Sequence, residues 1–115
     1  MKIGIVGQGF VGSAIYEGLK NYYQVFTYDL DEAKCNSTHG QVARESNIIF
    51  VCVPTPMRKD GSCDTRILEK VIVKINDDVR SDPGCNRPII VVKSTVPPGT
   101  TEKLNKLESV CSVCF

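Results

Sequence analysis

The sequence predicts a doubly wound α/β fold, a parallel sheet with helices on both faces. Three observations predict it. Strand-like and helix-like segments alternate along the 115 residues. Residues 47–53 (Asn-Ile-Ile-Phe-Val-Cys-Val) are an unbroken apolar run, as in a parallel strand buried on both faces. A G-x-G-x-x-G turn, Gly7-Gln-Gly9-Phe-Val-Gly12, joins the first strand to the first helix.

The elements follow in order. Residues 2–6 (Lys-Ile-Gly-Ile-Val) form a short buried strand. A helix spans roughly 11–20, with Val11, Ala14, Ile15 and Leu19 at helical spacing. Residues 24–28 (Gln-Val-Phe-Thr-Tyr) form the second strand. Residues 31–46 are polar and read as a helical turn near 31–35, a loop, and another turn at 40–45. The third strand, 47–53, stops at Pro54-Thr-Pro56, because proline cannot donate to a ladder. Asp60-Gly61 marks a turn, and Asp64 stands as the N-cap of the next helix. Behind it Leu68, Val71, Ile72, Ile75 and Val79 keep the spacing of an amphipathic helix. Residues 88–93 form a fourth strand, a short helix lies near 100–107, and 109–115 form a fifth strand. Right-handed crossovers then favour a Rossmann-type strand order of 3-2-1-4-5, with residues 1–115 as one domain.

Composition excludes several classes. Apolar residues make up 42%, charged residues 23%, and the net charge is +1, so nothing points to nucleic acid or a membrane surface. The apolar runs are too short to span a bilayer, and no secretory signal is evident, which implies a cytoplasmic protein. Cysteines stand at 35, 52, 63, 85, 111 and 114 without a repeating spacing. Cys52 lies in an apolar strand, where thiols act as small hydrophobes. Cys111-Ser-Val-Cys114 lacks a second pair or a nearby histidine to complete a zinc site, so no metal is expected.

The glycine turn carries chemistry. Gly7 permits the tight strand-to-helix turn, Gly9 leaves room for a pyrophosphate, and Gly12 lets helix and strand pack closely. Backbone N–H groups and the helix dipole favour the phosphate charge. Asp29 ends the second strand, 22 residues beyond Gly7, where its carboxylate can hold both hydroxyls of an adenosine ribose. It would repel a 2′-phosphate, and the next residues are Leu30 and Asp31, so NAD is favoured over NADP. Val53-Pro-Thr-Pro56 and Lys93-Ser-Thr-Val-Pro-Pro-Gly99 lie at the carboxyl ends of strands three and four, the ligand edge of such sheets. Thr55 and Thr95 each offer a hydroxyl there, for a ligand or for a turn.

These segments, with Asp60-Gly-Ser-Cys-Asp64 between them, resemble the nucleotide-sugar 6-dehydrogenases, the UDP-glucose and GDP-mannose dehydrogenases. Members show G-x-G-Y-V-G, V-P-T-P, D-G-x-x-D and K-S-T-V-P-x-G-T in that order. The resemblance runs from Lys2 to about Leu107. It implies that Gly7, Gly9, Phe10, Val11 and Gly12 contact the cofactor phosphates, and that Asp29 and Lys34 hold the ribose. Lys34 reads equally as a solvated lysine. It further implies that Val53, Pro54 and Thr55 pass along the cofactor and that Thr95 lies near the nicotinamide.

The chain also departs from the family. Only about 17 residues separate Asp29 from the third strand, where relatives carry a longer insert. Relatives continue with a helical region and a second nucleotide-binding domain holding the catalytic cysteine, lysine, asparagine and aspartate. No catalytic residue is therefore assigned here, since thiol chemistry needs an activated cysteine beside a base. The chain reads as a truncated NAD-binding domain, able to meet a nucleotide sugar only when completed. Its C-terminal strand is expected to form a homodimer through an exposed apolar edge. The alternatives are a 3-hydroxyacid or 6-phosphogluconate type dehydrogenase fragment, and a non-catalytic nucleotide-binding or self-association module.

Overall fold

The computed structural model describes residues 1–29, 35–61, 64–82, 84, 87–93 and 113–114. In chain order the elements are β1 (Lys2–Val6), α1 (Phe10–Leu19), β2 (Gln24–Tyr28), α2 (His39–Glu45), β3 (Ile48–Val51), α3 (Arg66–Arg80), β4 (Ile89–Val92) and β5 (Val113–Cys114). All pairings are parallel, and the sheet order is β2-β1-β3-β4-β5. The Rossmann-like parallel architecture is as expected.

The strand order is not. The expected order 3-2-1-4-5 places the third strand outside the second, whereas β3 pairs with β1 on its other side, Ile3 opposite Ile48 and Val6 opposite Val51. The reason lies on the outer edge of β2, which the segment Cys35-Asn36 already occupies. The Asn36 amide accepts from the Thr27 N–H at 2.7 Å and donates to the Val25 carbonyl at 3.0 Å. The Asn36 N–H donates to Thr27 at its carbonyl (3.2 Å) and its hydroxyl (3.0 Å). With those groups satisfied, no strand is needed there.

Direction then sets the faces. The chain moves from β1 to β2 one way and from β2 to β3 to β4 the other, so right-handed crossovers require α1 and α2/α3 on opposite faces. They are. Ile3, Ile5 and Val25 form a cluster with Ile15, Tyr16 and Leu19 of α1. Val6, Phe26, Ile49, Val51, Ile90 and Val92 form the larger cluster with Val42 and Ala43 of α2 and Leu68, Ile72, Ile75 and Val79 of α3. Ile49, Leu68, Ile75 and Ile90 are wholly buried, each contributing about 1.5–3 kcal/mol of apolar transfer.

Gly4 sets how closely α2 lies on the sheet. A Cβ there would sit 2.5 Å from Ser46 Oγ and 2.8 Å from Val42 Cγ1. α2 is a true helix where the sequence suggests only a turn at 40–45; Thr38 caps it, its side chain accepting from the Gln41 N–H at 3.1 Å. α3 starts one residue later than Asp64 implies as its cap. Thr65 is the N-cap, and Asp64 accepts from the Arg66 backbone at 3.1 Å and its guanidinium at 2.6 Å. The Arg66 guanidinium holds the Asp64 carboxyl well below the usual carboxylate range. The third strand is shorter than 47–53, and only residues 113–114 of the expected 109–115 strand are described. The expected turn at 31–35, except for Cys35, and the helix at 100–107 lie outside the described residues.

Candidate functional site

The sheet order reverses between β1 and β3, and a crevice opens at their carboxyl ends, where ligands of such folds bind. Gly7 leaves β1 with φ +96°, a left-handed conformation suited to glycine. A Cβ there would lie 2.5 Å from the Cys52 carbonyl oxygen. Gly12 is tied to the same place from the helix side, since its Cβ would stand 1.8 Å from the Gly7 carbonyl oxygen. Both glycines are explained by close packing within the chain.

Gly9 is not. A Cβ at Gly9 would meet nothing within 4 Å, and its φ of −73° suits any residue. It is the N-cap of α1, and no side chain caps that turn. An open glycine at an uncapped helix N-terminus is a cradle that a side chain would fill, and it fits an approaching phosphate. Val11 stands 47% exposed just beyond it. Phe10 opens α1, and its side chain is outside what the structure describes.

Asp29 is built into the turn. Its Oδ2 accepts from the Gln8 backbone N–H at 2.6 Å, and the neighbouring Tyr28 carbonyl accepts from the Gly7 N–H at 2.8 Å. The Gln8 carbonyl accepts from the Ser13 hydroxyl at 3.0 Å, linking the turn to α1. The end of β2, the glycine turn and the first turn of α1 thus form one hydrogen-bonded unit.

Two clefts meet at Tyr28 and Asp29. One, of about 320 Å³, is walled by Val6, Gly7, Val53, Pro54, Ile67 and Val71, with Lys70 at its rim. It brings together Gly7, Asp29, Val53 and Pro54 of the expected site. The other, of about 530 Å³, is lined mostly by polar residue types and includes Cys35, Thr38, His39, Lys74 and Asp78. Thr55 is half-buried just past Pro54 and is not part of either wall. Lys34 and Thr95 lie outside the described residues.

The sequence reading missed Ile67, Lys70 and Val71 as cleft residues. Val71 was legible only as one position of a helical stripe, and nothing local marks Ile67 as facing the end of β1. It also missed His39, whose Nδ1 lies 2.8 Å from Asp78 Oδ2 and whose ring meets Tyr28 edge-on at 5.0 Å. The Cys52 thiol is pushed up to about 11 by burial, so it is a poor nucleophile. Among the described residues no cluster of three or more potential metal ligands occurs, and no helix is long and apolar enough to cross a membrane.

A family model described as the UDP-glucose/GDP-mannose dehydrogenase family, NAD binding domain, matches residues 34–112. The chain belongs to this family. NAD is accordingly the cofactor of this domain. An uncharacterized protein of Methanocaldococcus jannaschii is 29% identical over 136 residues, covering 93% of this chain and 15% of its own. The UDP-glucose 6-dehydrogenase of Rickettsia prowazekii is 29% identical over 90 residues, covering 78% of this chain and 20% of its own. This family domain thus spans a fifth or less of those two curated relatives. In fold it matches the UDP-glucose dehydrogenase structure from Pyrobaculum islandicum with a TM-score of 0.78 at 24% identity, over 90% of this chain and 31% of that one.

Proposed function

We propose that residues 1–115 form one domain that seats NAD along the carboxyl edge of β1, β2 and β3. The pyrophosphate rests on the first turn of α1, against Gly7, Gly9, Phe10, Val11 and Gly12. Asp29 and Lys34 take the adenosine ribose. The apolar cleft of Val6, Val53, Pro54, Ile67 and Val71 receives the adenine, while Thr55 and Thr95 border the path to the nicotinamide. The observation that carries this reading is Gly9: its missing side chain is unexplained by packing within the chain and is explained by close approach of a phosphate.

When bound, NAD supplies the hydride acceptor. The chain's own contribution is orientation. The turn presents backbone N–H groups to negative charge, and Asp29 accepts the ribose hydroxyls while its charge disfavours a 2′-phosphate. No group of this chain is assigned to activate a sugar. The activity to which the domain contributes is oxidation of a nucleotide sugar's C6 alcohol to a carboxylate, with the remaining machinery supplied by further domains.

Titration calorimetry with NAD and NADP tests the reading. Saturable heat with NAD and much weaker heat with NADP is the expected result; no heat with millimolar NAD overturns it. A cytoplasmic homodimer belongs to the same proposal. Its support is apolar surface on the α1 side of the sheet, where Ile89 is 48% exposed beside half-buried Val91. Sedimentation giving a monomer mass at every concentration would remove the dimer.

A further inference from the structure

We infer that Cys35 is a positioning residue for Asp29, holding the backbone that aims the ribose carboxylate. The inference rests on the reading of Asp29 given above. In β2, Gln24, Phe26 and Tyr28 turn their backbone groups toward β1, so Val25, Thr27 and Asp29 turn theirs outward. Tyr28 displays this phase directly, its carbonyl accepting from Gly7 at 2.8 Å. The outward groups of Val25 and Thr27 are met by Asn36. Those of Asp29 are met by one sulfur. Cys35 Sγ donates to the Asp29 carbonyl at 3.0 Å and accepts from the Asp29 N–H at 3.1 Å.

Cys35 and Asn36 thus act as a side-chain substitute for a neighbouring strand. Its last rung falls on the residue whose carboxylate also binds the glycine turn through Gln8. Asp29 lies one residue past the end of β2, beyond the final rung with β1 at Tyr28. The thiol bonds both backbone groups of Asp29 on the outer side, and the carboxylate direction follows from the backbone. Both residues line the same polar cleft, so a shift of one reaches the other's ligand side. A thiol is suited to the place because one atom both donates and accepts. Alanine does neither; serine does both with a shorter reach.

The test compares the full wild-type chain with Cys35→Ala and Cys35→Ser. Amide hydrogen exchange by NMR should rise about tenfold at Asp29 in Cys35→Ala, the scale of one lost hydrogen bond. Amides inside the β1–β2 ladder should change little. NAD affinity should fall about tenfold on the same scale, and the preference for NAD over NADP should narrow. Cys35→Ser should restore part of both. A merely structural role would move Asp29 and the ladder together and weaken NAD without narrowing the preference; that result overturns the inference. So does unchanged exchange at Asp29. A wild-type chain that binds no NAD overturns the ribose reading instead, and the positioning role falls with it.

Discussion

The Gln8 backbone N–H donates to Oδ2 of Asp29 at 2.6 Å, across 21 residues of sequence. This bond joins the glycine turn to the residue that follows β2, coupling their positions. A hydrogen bond to a carboxylate contributes about 1.5–3 kcal/mol, against about 1 kcal/mol for a neutral one. Asp29→Asn keeps an acceptor oxygen and loses the charge. It should cost about 1 kcal/mol of stability, the difference between those two classes. The same change should weaken NAD and raise the relative affinity for NADP, because the repulsion of a 2′-phosphate is gone. Denaturant titration and calorimetry check the two halves separately. Unchanged NAD to NADP preference would remove Asp29 from the ribose site.

The glycines separate folding from binding. Gly9→Ala meets open space at an ordinary φ, so the stability cost should be no more than about 1 kcal/mol, the gap between glycine and alanine as N-caps. NAD binding should nevertheless fall sharply. Gly12→Ala pushes a methyl to 1.8 Å from the Gly7 carbonyl, which forces α1 off β1 at about 1–3 kcal/mol or more. Thermal melts should therefore rank Gly12→Ala far below Gly9→Ala, with both weak in NAD titration. A Gly9→Ala chain with wild-type NAD affinity would refute the phosphate seat.

The unit from β1 through the glycine turn to Asp29 was legible because its requirements are local. Gly7 needs positive φ, Gly12 needs the absence of a Cβ, and Asp29 directly follows a five-residue strand. α3 was legible from the period of Leu68, Ile72, Ile75 and Val79. The position of β3 was not legible. It turns on Cys35 and Asn36 satisfying the edge of β2 with side chains, and such bonds leave no periodic trace. α2 hid for a related reason. It is short and polar, and of its residues only His39, Val42 and Ala43 are buried. The apolar cleft escaped because Ile67 and Val71 reach it from a helix distant in sequence from β1 and β2.

The burial of the Cys52 thiol can be checked by its reactivity. Burial pushes its pKa up to about 11, and the charge of Lys93 offsets only part of that. At pH 8 roughly one thiol in a thousand is then ionised, and only the thiolate is nucleophilic. Iodoacetamide should label Cys52 far more slowly in the folded chain than in denaturant, read by peptide mass spectrometry. Equal rates in the two states would contradict the buried thiol.

His39 gives the fold a pH dependence whose sign can be worked out. The ring is 8% exposed, with Nδ1 2.8 Å from Asp78 and Nε2 buried without a hydrogen-bond partner. Burial lowers its pKa from 6.5; the bond and charge of Asp78 oppose this, and Lys74 on the same helix adds to it. Tyr28 faces the ring from β2 at 5.0 Å. In the unfolded chain the imidazole takes up a proton as pH falls through about 6.5, while the folded chain resists. The stability from the neutral buried ring is thus complete above 6.5 and is lost progressively as pH falls from there toward the lower folded value. His39 is the chain's single histidine, the only side-chain type that ordinarily titrates in this range. Urea midpoints should therefore fall between pH 7.5 and 5.5 in the wild type and stay flatter in His39→Phe. Asp78→Asn removes what raises the folded pKa, so it should extend the loss to lower pH. A wild-type midpoint that does not fall, or an equal fall in His39→Phe, would show that the ring is not the group responsible.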